Sequence, residues 1–168
     1  LQLHSPPMEI LQKDEPWLAL EKLKMEGKIK LAGWSVQSFQ ETAQTPILDV
    51  HHDLIDVIQV RYNLLERDAE TALFPAALRY GTGVIARIPI LFGLLSGKFD
   101  KHTRFGDNDH RSLNLGPDQL NSYLSKFEPY KTKFNTAADY SFVQHSLRFC
   151  IAHPAVHVAI PGGKTVEQ

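Results

Sequence analysis

Short apolar runs rich in β-branched residues alternate with amphipathic segments along this chain, and that alternation leaves few architectures open. Residues 29–35 (IKLAGWS), 56–62 (DVIQVRY), 84–88 (VIARI) and 156–160 (VHVAI) are too short for typical helices and read as strands. Residues 1–3 read as the last turn of a further strand, running into a loop stopped by Pro6 and Pro7. Between the strands, Ala19, Leu20, Leu23 and Gly27 share one helical face, and Leu73, Phe74, Ala77 and Leu78 share another. Near the end, Phe142, Val143, Ser146, Leu147, Cys150 and Ile151 form a stripe stepping by three and four. Parallel neighbours need a long connection, so strand–helix alternation implies parallel strands joined by crossover helices, an α/β fold.

Local chemistry places the expected boundaries. Asp14 is the expected N-cap of the first helix, with Pro16 in its first turn and Gly27 at its end. Ser38 is expected to cap a short helix through Ala43 that Pro46 interrupts, and Asp139 or Ser141 to cap the last one. Pro117 opens a helical segment in which Leu120, Tyr123, Leu124 and Phe127 are in register. Residues 100–115, rich in Asp, His, Asn, Arg and Gly without periodicity, read as a long, mobile loop.

Residues 83–99 (GVIARIPILFGLLSGKF) organise the rest. An apolar strand ends at Pro89, which has no N–H to donate, and a glycine-punctuated turn carries Ser96, Gly97 and Lys98. The turn starts at the C-terminal end of a strand, where parallel α/β folds bind ligands; loop amides, Ser96 and Lys98 suit an anionic group.

Composition removes several classes. At 168 residues, with 43% hydrophobic and 22% charged residues, the chain fits one globular domain. A formal net charge of −1 gives no electrostatic footprint for nucleic acid or an anionic membrane. No apolar stretch approaches the roughly 20 residues that span a bilayer, and no basic flank precedes an apolar signal core. A single cysteine, Cys150, forms no internal disulfide and fits a reducing compartment, so the expected location is the cytoplasm. No metal site is expected: His51, His52 and Asp53 are adjacent without a converging third ligand, and Pro154 denies His153 and His157 a shared helical face. Trp17 and Trp34 read as packing residues, Trp34 alternatively as a wall of the substrate end. Both ends of the chain read as severed, the last residues as the opening of a helix.

Taken together, LQLHSPP, GKIKLAGWS, DVIQVRYNLLER, PILFGLLSGKF, FGDNDHRS and HPAVHVAIPGGKTVEQ resemble, in this order and spacing, the aldo-keto reductases, across essentially the whole chain. The resemblance implies a (β/α)8 TIM barrel that binds NADP(H) without a Rossmann domain. Residues 1–168 would then be the C-terminal portion of a single barrel domain, strands four to eight, with strands one to three absent. It also implies an oxidoreductase passing hydride from C4 of NADPH to an aldehyde or ketone. The chain alone is expected to be inactive, because the family's catalytic aspartate, tyrosine and lysine lie on the missing strands. His4 resembles the fourth catalytic residue, the histidine that orients the carbonyl.

The same resemblance assigns Ser35 and Gln59 to the nicotinamide carboxamide, which needs a donor and an acceptor together, as a glutamine supplies. Val36 stands where the family often has asparagine. Arg87 stands where many members stack an aromatic under the nicotinamide; a guanidinium plane can stack too, but brings a charge. Ile88, Pro89, Ile90, Leu91 and Phe92 would line the pyrophosphate and nicotinamide, with Lys98 near the phosphates. Arg111 resembles a residue that folds over the pyrophosphate, or is a solvated surface arginine. Gly162, Lys164, Thr165 and Gln168 match the turn that grips the adenosine 2′-phosphate in NADP-preferring members. The alternative activity is a nucleotide-binding regulatory subunit of the same fold with little turnover.

Overall fold

The structure, a computed structural model, describes residues 1–134, 140–163 and 165. Five strands form one sheet in sequence order, every neighbouring pair parallel: β1 (Gln2–Leu3), β2 (Gly33–Ser35), β3 (Val57–Arg61), β4 (Gly83–Arg87) and β5 (Val158–Ile160). Sequential parallel order is that of part of a (β/α)8 barrel, since each crossover delivers the chain to the next strand along.

The crossovers are helical. The first holds α1 (Met8–Leu11) and α2 (Asp14–Met25), the second α3 (Glu41–Gln44) and α4 (Pro46–His51), and the third α5 (Leu73–Tyr80). The fourth is the longest: a 3-10 segment at Leu91–Ser96, then α6 (Arg111–Asn114), α7 (Pro117–Phe134) and α8 (Phe142–Ala152). Among the described residues no helix is long and apolar enough to cross a membrane.

Strand alternation sorts the side chains. Trp34, Ile58, Val60, Val84 and Ala86 are buried towards the helices and join Trp17, Leu20, Leu48, Leu73 and Phe74 in the main core. The opposite face carries Ser35, Gln59, Arg61, Ile85 and Arg87. Trp34 therefore packs outward, edge-on to Trp17 with ring centroids 5.9 Å apart, and does not wall the inner face. A second core, built on Leu91, Leu94, Leu95, Leu120 and Phe127, fills the space beneath the 3-10 segment.

Several expected boundaries move, each for a local reason. The strands are shorter than the apolar runs: Ile88 leaves β4 with φ +58°, and Val156 is buried ahead of β5. Lys13 is the N-cap of α2, so Asp14 acts from its first turn, where a carboxylate still favours the helix dipole. The short second-crossover helix starts at Glu41 because Phe39 takes φ +64°, and Pro46 opens α4 at a first-turn position where its missing N–H costs nothing. Leu78 and Ile151, expected on buried faces, are half exposed; Ala76 is buried in α5 instead, and of the α8 stripe Ser146 and Cys150 are the buried members. Ser141 caps α8 through a reciprocal capping box with Gln144. Residues 100–115 are not a structureless loop: α6 interrupts them, and the Phe99 and Phe105 rings meet edge-on at 5.3 Å.

Candidate functional site

Parallel pairing turns separate sequence positions into rows on the inner face. Ser35, Gln59 and Ile85 are in register across β2, β3 and β4, and Arg61 and Arg87 form the next row towards the C-terminal ends of the strands. His4 lies one residue beyond β1, and Gly162 two beyond β5. One rim of the sheet thus gathers residues as far apart in sequence as His4 and Gly162, because parallel strands all end on the same side.

Backbone strain gathers on this rim too. The non-glycine residues with positive φ among those described are Ser5, Phe39, Ile88, Leu91 and Phe92, and each follows the C-terminal end of a strand. Such conformations cost about 1–3 kcal/mol each and persist where the surroundings enforce them, characteristically at functional sites. Here the enforcing contacts are visible. Ser5 N–H donates to Ser35 Oγ at 3.0 Å, and the two hydroxyls lie 3.1 Å apart, tying the loop after β1 to the end of β2. Asn63 is buried and donates from Nδ2 to the Ile88 carbonyl at 3.2 Å, holding the loop after β4 against the loop after β3.

The two arginines of the outer row are handled differently. Arg61 is buried in a bidentate ion pair with Glu66, and Glu66 also accepts from Tyr123 Oη at 2.6 Å and Asn63 Nδ2 at 2.7 Å. Burial works against the Arg61 charge, but Glu66 outweighs it and the guanidinium pKa rises; burial first, then the Glu66 hydrogen bond, raises that of Tyr123. The Arg61 guanidinium lies 4.8 Å from the Phe39 ring centroid and 5.4 Å from that of Phe92. Two strained loop residues therefore meet one buried cation. Arg87 instead donates from Nη2 to the Val36 carbonyl at 3.1 Å and to Ser38 Oγ at 3.0 Å, and its Nε is buried without a hydrogen-bond partner.

The donor set suits a polar planar group. Ser35 is buried with a hydroxyl facing the inner row, and the Gln59 amide, with a donor and an acceptor, makes no hydrogen bond to another described residue. A family model for the aldo/keto reductases matches residues 1–168, the whole chain. The chain belongs to the aldo/keto reductase family.

Relatives within the family agree. The chain is 28% identical over 163 residues to the uncharacterized oxidoreductase YrpG of Bacillus subtilis, covering 92% of this chain and 46% of that protein. It is 31% identical over 172 residues to the uncharacterized oxidoreductase YqkF of the same organism, covering 99% and 51%. Among solved structures, the glycerol dehydrogenase AKR11B4 from Gluconobacter oxydans matches with a TM-score of 0.74 at 26% identity, over 94% of this chain and 47% of that one. The holo form of an aldo-keto reductase from Bacillus halodurans, at 24% identity and a TM-score of 0.69, shares the fold. The chain spans about half the length of these relatives.

Members of the aldo/keto reductase family use nicotinamide cofactors, and the inner rows offer a serine hydroxyl and a glutamine amide side by side. The other expected contacts are placed unequally. His4 is exposed at the rim, and Ile90 and Phe92 are half-buried in the loop after β4, whereas Leu91 is fully buried and turned into the second core. Ile88 and Pro89 sit where β4 turns into that loop. Lys98 is exposed just beyond the 3-10 segment. Arg111 is bound to Asp109 and lies over the Phe105 ring at 4.8 Å, so its charge is already engaged. Gly162 and Thr165 are exposed after β5, and Lys164 and Gln168 lie outside the described residues.

Sequence reasoning passed over Ser5, Arg61, Asn63, Glu66 and Tyr123. Arg61 alone carried a signal: in a strand whose alternate residues face a core, a charge at its last position demands a partner.

Proposed function

We propose that this chain forms the nucleotide-holding side of an NADPH-dependent reductase of aldehydes or ketones, as five strands of a barrel domain. The observation that carries this is the register of Ser35 with Gln59 across neighbouring parallel strands, one row below a rim where strained backbone concentrates. When bound, the nicotinamide supplies hydride to a carbonyl carbon. Ser35 and Gln59 hold the ring's carboxamide, Gln59 giving both an N–H and a carbonyl oxygen. Ser5 keeps Ser35 in place from the loop after β1. His4, exposed beyond β1, donates a hydrogen bond to the carbonyl oxygen and orients it. Ile88, Pro89, Ile90 and Phe92 close one side of the cleft, and Lys98 and Arg111 supply charge to the phosphates, Arg111 after leaving Asp109. Gly162, Lys164, Thr165 and Gln168 receive the 2′-phosphate and select NADPH over NADH. The lone, buried thiol of Cys150 fits the reducing cytoplasm.

The test is nucleotide titration of the full-length protein, followed by quenching of tryptophan fluorescence, together with turnover of a simple aldehyde. NADPH should bind more tightly than NADH, and Gln59→Leu should weaken both by about tenfold, the value of one or two hydrogen bonds. Tight binding without turnover would instead favour a regulatory nucleotide-binding subunit, and equal binding by Gln59→Leu would remove the proposed site.

A further inference from the structure

At the end of β4 the inner face carries a charge that no carboxylate contacts directly among the described residues. Arg87 lies in register beside Arg61, yet only Arg61 has its counter-ion, Glu66. The acceptors of Arg87 are a backbone carbonyl and a hydroxyl, its Nε is buried and unpartnered, and no ion pair joins it to a carboxylate among the described residues. Burial first, then the neighbouring Arg61, lowers its pKa, against a smaller opposite pull from the Glu41 and Glu66 carboxylates. An arginine nevertheless stays protonated, its ordinary value lying far above neutrality. A permanent cation is therefore held partly desolvated one row beyond Ser35 and Gln59, a step of roughly 7 Å along a strand.

We propose that Arg87 sorts the two oxidation states of the nicotinamide, accepting the neutral reduced ring and working against the positively charged oxidised ring. This rests on the reading of Ser35 and Gln59 as holders of the ring. The two forms share every phosphate, both riboses and the adenine. Any contact of Arg87 with those parts cancels in the ratio of the two affinities, and only the ring charge remains. Two like charges at this separation, at the effective dielectric of a partly buried site, change that ratio by about tenfold even after screening by solvent. Once a carbonyl carbon has accepted hydride and its oxygen a proton, the nicotinamide ring of the spent cofactor is cationic, and Arg87 hastens its release.

The experiment titrates the intact protein separately with NADPH and with NADP⁺, in the wild type, Arg87→Met, Arg87→Lys and Gln59→Leu. Arg87→Met should tighten NADP⁺ relative to NADPH by about tenfold, which is about 30 mV in the potential of a bound two-electron couple. Arg87→Lys, which keeps the charge, should keep the wild-type ratio. An unchanged ratio in Arg87→Met overturns the proposal, as does a selective loss of NADP⁺ binding, which would mean that Arg87 favours the oxidised ring. If Gln59→Leu weakens both nucleotides while Arg87→Met leaves the ratio alone, the ring-holding row stands and only the role of Arg87 falls. If Gln59→Leu changes neither affinity, the row and the proposal fall together. Imperfect folding of a variant lowers the number of sites, not the ratio.

Discussion

Glu66 shows how much one residue decides at this rim. Its two carboxylate oxygens receive Arg61, Tyr123 and Asn63, and the Arg61 and Glu66 side chains are only 7% and 10% exposed. Removing the charge of one partner leaves the other buried and uncompensated, which costs about 3–5 kcal/mol. Glu66→Gln should lose that amount of stability, read as a fall in the urea midpoint at unchanged slope. Tyr123→Phe gives up one hydrogen bond to a charged group and should lose about 2 kcal/mol. In the sequence Glu66 stands only as part of the DVIQVRYNLLER stretch, with no sign of what it would meet. Its partners come from a strand and from a helix 57 residues away, a separation that no local pattern encodes.

The strands and loops owe their geometry to close approach as much as to propensity. A Cβ built on Gly33 would stand 1.7 Å from the Val57 carbonyl oxygen, so β2 and β3 pair at this point only without a side chain. Gly33→Ala should force the strands apart, cost about 3 kcal/mol and remove hydrogen-exchange protection at Val36, whose N–H donates to the Gln59 carbonyl at 2.8 Å. Because Ser35 and Gln59 share that pairing, the variant should weaken nucleotide binding as well. The strand–helix order was readable because periods of 2 and 3.6 are local properties of the chain. The ends of elements were less so. Phe39 and Ile88 leave regular structure with positive φ under tertiary contacts, and neither residue type advertises that conformation.

Across the whole molecule, two cores support the sheet: one against its helical face, the other beneath the loop after β4. Cys150 of α8 belongs to the first; it is fully buried, with Sγ 3.5 Å from the Tyr62 carbonyl oxygen, and burial pushes its pKa up to about 12. A thiol so placed is inert until the packing of α8 on the sheet opens. Labelling of Cys150 by a disulfide reagent at pH 8 should be negligible in the native protein and should rise with the urea transition. Labelling at low urea would show α8 opening separately. The sequence by itself determined the parallel strand–helix order, because that follows from periodicity and from the long connections that parallel strands need, and its motifs, through the family they resemble, pointed to Ser35, Gln59 and Arg87. Only the tertiary structure decided that Arg61 is ion-paired while Arg87 has no such pair among the described residues, and that Arg111 is held by Asp109. An ion pair is set by which loops meet after the chain has closed on itself, and the same residue types at the same spacing permit either outcome.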